Sequence, residues 1–305
     1  MSVAILLSTY NGERHLPALL DSVAAQTEPD WRLVVRDDGS TDGTLEQVRQ
    51  FAAAHPGRVH VEAGSNLGAA ASFMTLLGSP EAAADVVAFC DQDDVWHPDK
   101  VARAVAHLRK AGTSPALYCS RAVLVDASLQ RVGLSPPFDR IGFDFALFEN
   151  VAIGCTTALN RAGHQLIAGR LPPAGGVVVH DWWCYLVIAA LDGQLFCDPE
   201  PSVDYRLHGE NVIGLPRGVV SGIVHQVRRL ARNPRRFFEP SRQAQSLLTC
   251  FGDVLTPSRR AVVEELLAAK VNRLRRLRFA LFGPVRRQRF ADQLVARVLI
   301  AAGLH

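Results

Sequence analysis

Three carboxylates fall within four positions at Asp91-Gln92-Asp93-Asp94, directly after the apolar run Asp85-Val86-Val87-Ala88-Phe89-Cys90. Such a run closed by charges reads as a buried parallel strand with an acidic C-terminal end. In open α/β sheets, ligands bind outside that end of the strands. Like charges this close repel one another unless something positive sits among them. Hard oxygen donors suit Mg²⁺ or Mn²⁺, and Mg²⁺ is commonly held by one or two carboxylates together with a substrate's phosphates. Taken alone, the cluster reads as readily as an acidic loop capping the helix that opens at His97-Pro98-Asp99-Lys100, with Asp93 or Asp94 as N-cap.

The elements before the cluster repeat its logic. Val3 to Ser8 is a short apolar strand ending in Ser8-Thr9-Tyr10-Asn11-Gly12, and Glu13 to Gln26 follows at helical spacing. Trp31 to Arg36 is a second strand, ending in Asp37-Asp38-Gly39-Ser40-Thr41-Asp42-Gly43 before a helix with Leu45, Val48 and Phe51 on one face. Arg58 to Glu62 is a third, and Asn66-Leu67-Gly68 opens a small-residue helix through about Leu77. Strands and helices alternating at this length imply βαβ units around a mostly parallel sheet. Polar residues just after the first, second and fourth strands then share one sheet edge, so Thr9, Asp37/Asp38 and Asp91 to Asp94 should converge. The Gly-x-Gly-x-x-Gly fingerprint and the Walker A motif are absent, which argues against an NAD enzyme and a P-loop ATPase.

Beyond the cluster, Leu117 to Asp126 is a strand, Val132 to Asp139 a Pro/Gly-rich linker, and Val151 to Leu159 a small-residue strand. Asn160 opens a short helix, and His180-Asp181-Trp182-Trp183 begins an apolar helix to about Leu191. Val203 to Asn211 closes the body. From about Arg217 the chain reads as Arg-rich amphipathic helices, punctuated at Asn233-Pro234, Thr256-Pro257 and Gly283-Pro284.

The net charge of +3 conceals an asymmetry: residues 217–305 carry 18 Lys+Arg against 5 Asp+Glu, while residues 1–216 carry 15 against 25. An acidic body with a basic tail suggests that the tail meets something anionic. The six cysteines form no C-x-x-C pair and read as reduced thiols of a cytosolic protein. The N-terminus has no basic lead and too short an apolar run for a signal peptide. No stretch approaches the roughly 20 apolar residues of a membrane span, since the longest, Val177 to Leu191, contains His180 and Asp181.

Together these motifs resemble the family 2 glycosyltransferases of the GT-A fold, in particular bacterial rhamnosyltransferase-like enzymes of surface-polysaccharide assembly. The resemblance rests on Ser8 to Gly12, Asp37 to Asp42, Asn66-Leu67-Gly68, Asp91 to Trp96, His180 to Trp183 and Tyr205-Arg206-Leu207-His208-Gly209-Glu210-Asn211, in the family's order. It covers residues 1 to about 214 and leaves the basic tail uncovered. It implies an α/β GT-A (Rossmann-like) domain over 1–216, with a nucleotide-binding half (1–115) and an acceptor/catalytic half (116–216), and a basic helical extension over 217–305.

The resemblance further implies an inverting, metal-dependent transfer from a dTDP- or UDP-linked sugar, rhamnose among the candidates, to a saccharide or lipid-linked saccharide acceptor. Thr9, Tyr10, Asn11, Glu13, Asp37, Asp38, Asn66, Gly68, Asp91, Gln92 and Arg206 would hold the nucleotide sugar. Asp93, with Asp91, Asp94 and His208, would hold Mg²⁺ or Mn²⁺. Asp181 would be the catalytic base, its pKa raised by Trp182 and Trp183, which would also stack on the acceptor. Many relatives carry an acidic residue where this chain has His180. The Gln-x-x-Arg-Trp signature of processive synthases is absent after Asp181, so a single addition is expected. Arginines interspersed with Leu, Val and Phe over Val271 to Phe279 and Arg286 to Arg297 suit helices on an anionic membrane's inner face, or solvated helices packed on the body.

Two other classes fit less well. A nucleotidyltransferase would carry a Gly- and Lys/Arg-rich loop after the first strand, which is missing, and a haloacid-dehalogenase-like hydrolase would carry its aspartates there. A basic adaptor for nucleic acid or membrane would not explain carboxylates clustered at strand ends, and no nucleic-acid partner is expected.

Overall fold

A computed structural model of the chain describes residues 1–207 and 239–305. The first half contributes four strands, β1 (Val3–Thr9), β2 (Trp31–Asp37), β3 (Val59–Ala63) and β4 (Val86–Asp91), separated by helices α1 (Leu16–Ala24), α2 (Thr44–Ala54) and α3 (Ala69–Gly78). These strands are parallel, in the order β3-β2-β1-β4. After β4 come β5 (Val95–Trp96), α4 (Lys100–Leu108), β6 (Ala116–Val125), β7 (Arg131–Leu134), α5 (Phe143–Ala146), β8 (Ala158–Asn160), α6 (Arg161–Ala168), α7 (His180–Ala190) and β9 (Gln194–Arg206). They extend the sheet as β8-β6-β9-β5, with β7 on β6; here only β6 and β9 pair in parallel. The sheet is therefore parallel where it meets the first three loops and mixed beyond Asp91.

Alternating side chains explain the layers. Val3, Ile5 and Leu7 of β1 face a core with Leu16, Leu19 and Val23 of α1 and Val101, Val105 and Leu108 of α4. Ala4 and Leu6 face the opposite core, with Phe73 and Leu77 of α3 and all of α7. Both faces are covered, so β1 is apolar from Val3 to Leu7, up to its polar end at Ser8-Thr9. Helix α7 is buried at every position, as expected of a helix apolar all round, and its Leu and Ile side chains each contribute about 1.5–3 kcal/mol of burial.

The C-terminal helices α8 (Pro240–Phe251), α9 (Pro257–Val271), α10 (Arg273–Phe282) and α11 (Phe290–Ala302) join the second core through Leu247, Phe251, Val263, Leu266, Phe279 and Ile300. The described part of the basic extension thus shares its apolar interior with the body. No helix among the described residues is long and apolar enough to cross a membrane.

Three segments differ from the sequence expectation. Val151 to Leu159 is mostly a 3-10 turn over Gly154–Thr156, with a strand only from Ala158, because the Thr156 and Thr157 hydroxyls both donate to the Ile153 carbonyl at 2.9 Å and bend the chain. The expected linker begins with β7. Strand β9 starts at Gln194, well before Val203, and carries Pro199 and Pro201 across a register shift against β6.

Asn160 ties β8, α6 and the start of β6 together. Its carbonyl oxygen accepts from the amides of Gly163 and Ala116, both at 2.9 Å, and its amide donates to Ser114 at 2.7 Å. Removing it uncaps α6 and orphans the buried Ala116 amide. Asn160→Ala is expected to lower stability by about 2–4 kcal/mol in urea unfolding, with the m-value unchanged.

Candidate active site

The carboxyl ends of β1, β2 and β4 lie side by side, with Thr9 opposite Asp37 and Ser8 opposite Asp91. The loops that follow them enclose a cavity of about 490 Å³ lined by Ser8, Tyr10, Asp38, Asn66, Gly68, Ala69, Phe73, Asp91, Gln92, Asp93 and Tyr205. The expected convergence is present. Of the eleven residues expected to hold the donor, Tyr10, Asp38, Asn66, Gly68, Asp91 and Gln92 line this space.

The others build it from behind. Thr9 and Asp37 are buried beneath the cavity, where the Asp37 carboxylate accepts from the Thr9 hydroxyl (2.9 Å) and from the Ser40 amide and hydroxyl (2.9 and 2.6 Å). Asn11 accepts from the Thr41 amide at 2.8 Å, and Glu13 accepts from the Gly43 amide at 3.0 Å, clipping the first loop to the second. None of these four lines the cavity, and the hydrogen bonds of their side chains position the loops around it. Asp38 is also a scaffold: it pairs with Arg36 and accepts from the amides of Leu67 (2.9 Å) and Gly68 (2.8 Å). Gly68 adopts φ +80°, which a side chain would strain. Gln92 exchanges two hydrogen bonds with the Tyr10 backbone, at 2.9 and 3.0 Å.

Arg206 does not line the cavity either. Its guanidinium is buried and donates to the carbonyls of Asp93 (2.9 Å) and Ala127 (2.7 Å), while its amide donates to Asp94 (3.0 Å). It holds the acidic turn rather than opening onto the cavity. His208 lies outside the described residues.

Electrostatics in the turn follow from burial. Asp91 is pushed up to about 7 by desolvation and then by the charges of Asp93 and Asp181. Asp94 is pushed well above the carboxylate range by burial and by Asp93 and Asp91; one of its oxygens is buried without a hydrogen-bond partner. The Lys100 ammonium lies behind, 3.7 Å from the centre of the Trp96 ring and without a hydrogen-bond partner. Burial pushes it down to about 8, while Cys155, Cys90 and Asp94 act to hold its charge.

Ligating atoms of Asp91, Asp94 and Cys155 lie within 4.8 Å of one another. Burial pushes the Cys155 thiol well up, and neither Cys155 nor Asp94 lines the cavity. Asp91 and Asp93, which do line it, offer the hard oxygens that fit Mg²⁺ or Mn²⁺. A cation there would relieve the repulsion that raises Asp91.

Asp181 stands in the first turn of α7. Its carboxylate is buried, and desolvation pushes it up to about 7 against hydrogen bonds from the Trp182 amide, the Asn150 side chain and the Gly154 amide. The adjoining Cys155 amide donates to Asp91, so two consecutive N–H groups of the 3-10 turn serve two carboxylates from different elements. A Cβ on Gly154 would stand 3.2 Å from the His180 ring and 3.4 Å from Asp181, which explains glycine there. His180 stacks on Phe73 at 3.9 Å and, pushed down to about 3 by burial, is neutral. Of this pair, only Asp181 carries a charge that acts on Asp91.

Neither tryptophan can stack on an acceptor. Trp183 is fully buried and packs near Phe251, and Trp182 is buried with its indole N–H donating to Ala146 at 2.6 Å. They raise the pKa of Asp181 only as part of the apolar core around it.

Residues 4–164 match the description "Glycosyl transferase family 2". The chain belongs to glycosyl transferase family 2. Among curated relatives of this family 2 chain, the dTDP-rhamnosyl transferase RfbG of Shigella flexneri is 26% identical over 215 residues, 68% of this chain and 73% of that protein. An uncharacterized glycosyltransferase of Nostoc is 37% identical over 105 residues, 34% of this chain and 32% of that protein. Among solved structures, S. aureus TarS 1–349 in complex with UDP superposes with a TM-score of 0.57 at 18% identity, covering 96% of this chain and 77% of that one. The mannosyltransferase PcManGT of Pyrobaculum calidifontis, with GDP-Man and Mn²⁺, gives 0.53 at 18% identity, over 98% and 86%. The fold is GT-A.

For this family 2 enzyme, sequence reasoning missed Ser8, Phe73 and Tyr205 in the cavity wall, and Lys100, Asn150, Gly154 and Cys155 behind it. Tyr205 and Lys100 flank motifs that were legible, whereas Asn150 and Gly154 sit in a bend whose apolar composition imitates a strand.

The raised Asp181 has a measurable consequence. A folded pKa of about 7 above the ordinary 3.8 means that the protonated form favours folding, fully so below about pH 4 and progressively less as pH rises through 7. Without divalent ions, Asp181→Asn should therefore be the more stable protein at pH 8, by roughly 2–4 kcal/mol, and converge on the parent near pH 4. Parallel unfolding curves for the two across that range would contradict the assignment.

Proposed function

We propose that this enzyme is an inverting, metal-dependent, single-addition glycosyltransferase that moves a sugar from a dTDP- or UDP-linked donor to a saccharide acceptor of a cell-surface polysaccharide. The observation that carries the reading is a cavity-lining acidic turn (Asp91, Asp93) with a separate buried carboxylate of raised pKa, Asp181, behind the wall and acting electrostatically on Asp91. The turn would hold a cation, and Asp181 would accept a proton. The RfbG relative supports a dTDP-rhamnose donor, and an Escherichia coli relative, 29% identical over 157 residues, is named as a UDP-Glc:alpha-D-GlcNAc-diphosphoundecaprenol beta-1,3-glucosyltransferase, which supports a lipid-linked acceptor.

When bound, the divalent ion would neutralise the charge that develops on the leaving nucleoside diphosphate. Asp91 and Asp93 would hold it. Tyr10, Asn66 and Gln92 would frame the nucleotide, on loops that Asp37, Asp38, Asn11 and Glu13 keep in place. Asp181 would take the proton of the acceptor hydroxyl as that oxygen bonds to the anomeric carbon. The bond from that carbon to the diphosphate breaks on the opposite face, so the configuration inverts. A pKa near 7 suits such a base, since it is substantially ionised at neutral pH and still basic enough to accept a proton. Six free cysteines accord with a reducing cytoplasm.

Thermal stabilisation by dTDP, UDP and GDP, each with Mn²⁺ or Mg²⁺ and again with EDTA, checks the donor side. Stabilisation by a pyrimidine diphosphate that EDTA abolishes, and that Asp93→Ala loses while still folded, is expected; no metal-dependent shift with any nucleotide would sink the reading. Asp181→Asn should keep that shift and lose about 10²–10⁴-fold in turnover. Products should carry one added sugar, and a ladder of longer ones would contradict single addition.

A further inference from the structure

The last two helices leave their outer faces bare. On α10, Leu274 (80% exposed), Leu277 and Leu281 recur at helical spacing, bracketed by Val271 (86%) and Phe282 (82%); on α11, Phe290 (71%), Leu294 and Val298 recur every fourth residue. Each helix buries only two side chains, Phe279 and Ala280 on α10, Ala296 and Ile300 on α11. The two run side by side: the Arg297 guanidinium donates to the carbonyls of Ala280 (2.7 Å), Leu281 (3.0 Å) and Gly283 (3.1 Å), and Gly303 reaches Arg276. A water-soluble helix pair normally turns charges outward. This one shows large apolar side chains, with arginines set among them.

The charges decide what would cover it. Arg273, Arg275, Arg278, Arg286 and Arg289 are exposed, and Arg278 follows Leu274 by four positions and precedes Leu281 by three, on the same outer face. Residues 270–305 hold nine Lys+Arg and a single acid, Asp292. Face-to-face pairing of two copies would set these cations against one another, which disfavours a second copy. An anionic lipid surface answers both parts: its headgroups meet the guanidinium groups, and leucine and phenylalanine side chains enter the boundary with the acyl chains. With no helix among the described residues able to span, the pair would lie in the interface plane.

We propose that the outer face of α10 and α11 is a docking surface for anionic membranes. It rests on the glycosyltransferase reading only for its purpose, that of bringing the cavity to an acceptor on a lipid, and not for its chemistry.

The test is flotation of the full chain with vesicles of phosphatidylcholine alone and of phosphatidylcholine with phosphatidylglycerol. Binding to the anionic vesicles only, weakened by high salt, is expected. Arg273→Gln/Arg275→Gln/Arg278→Gln should weaken it about tenfold or more. Leu274→Ser/Leu281→Ser/Phe282→Ser should do the same, with a melting temperature close to that of the parent, since these side chains are largely exposed (80%, 68% and 82%). Equal binding to both vesicles, or none to either, overturns the proposal; a concentration-dependent dimer abolished by the leucine variant would assign the face to a second copy instead. Flotation needs no nucleotide, and the metal-dependent thermal shift needs no lipid, so either reading can fail without the other.

Discussion

Carboxylates are buried close together at the carboxyl end of the sheet, and the cost of burying their charges, with repulsion added at Asp91 and Asp94, is the constraint on which the site is built. Asp91 is raised by burial and by Asp93 and Asp181, and Asp94 by burial and by Asp93 and Asp91. Nothing local cancels this outright. Lys100 approaches from below, held by the Trp96 ring, and the amides of Arg206, Gly154 and Cys155 supply partial positive charge. The fold tolerates an under-neutralised pocket because both cores beside it are extensive. A divalent cation held by Asp91 and Asp93 would relieve that repulsion.

The donor side depends on a second device, loops tied to loops. Asp38, paired with Arg36, gathers the Leu67 and Gly68 amides, so the turn before α3 is held by the loop after β2. Glu13 and Asn11 tie the loop after β1 to that same loop, and Gln92 ties it to the acidic turn. Four segments far apart in sequence thus form one rim.

Much of this was legible from residue order. Polar residues immediately after apolar strands can converge only at one sheet edge, and they do. What stayed hidden has physical reasons. A carboxylate in a loop looks the same whether it faces a ligand or a neighbouring hydroxyl, so Asp37 and Arg206 could be placed at the site but not oriented. Two tryptophans beside a base suit stacking and core packing equally; the unbroken apolar run of α7 decides for the core only once its surroundings are known. Pro199 and Pro201 mask the first half of β9, whose irregular pairing with β6 accommodates them. The threonines at 156 and 157 carry strand propensity but spend their hydroxyls on a bend.

The carboxylate of Asp181 is mounted on the most enclosed helix of the molecule, whereas the donor is framed by surface loops. Those two parts meet only at the cavity, through Phe73 against His180 and through consecutive amides of one turn. Substitutions that reshape the rim leave the interior packing of α7 undisturbed. The rim that frames the cavity and the helix that carries Asp181 are thus separate parts of the molecule, one built from surface loops and the other from the core.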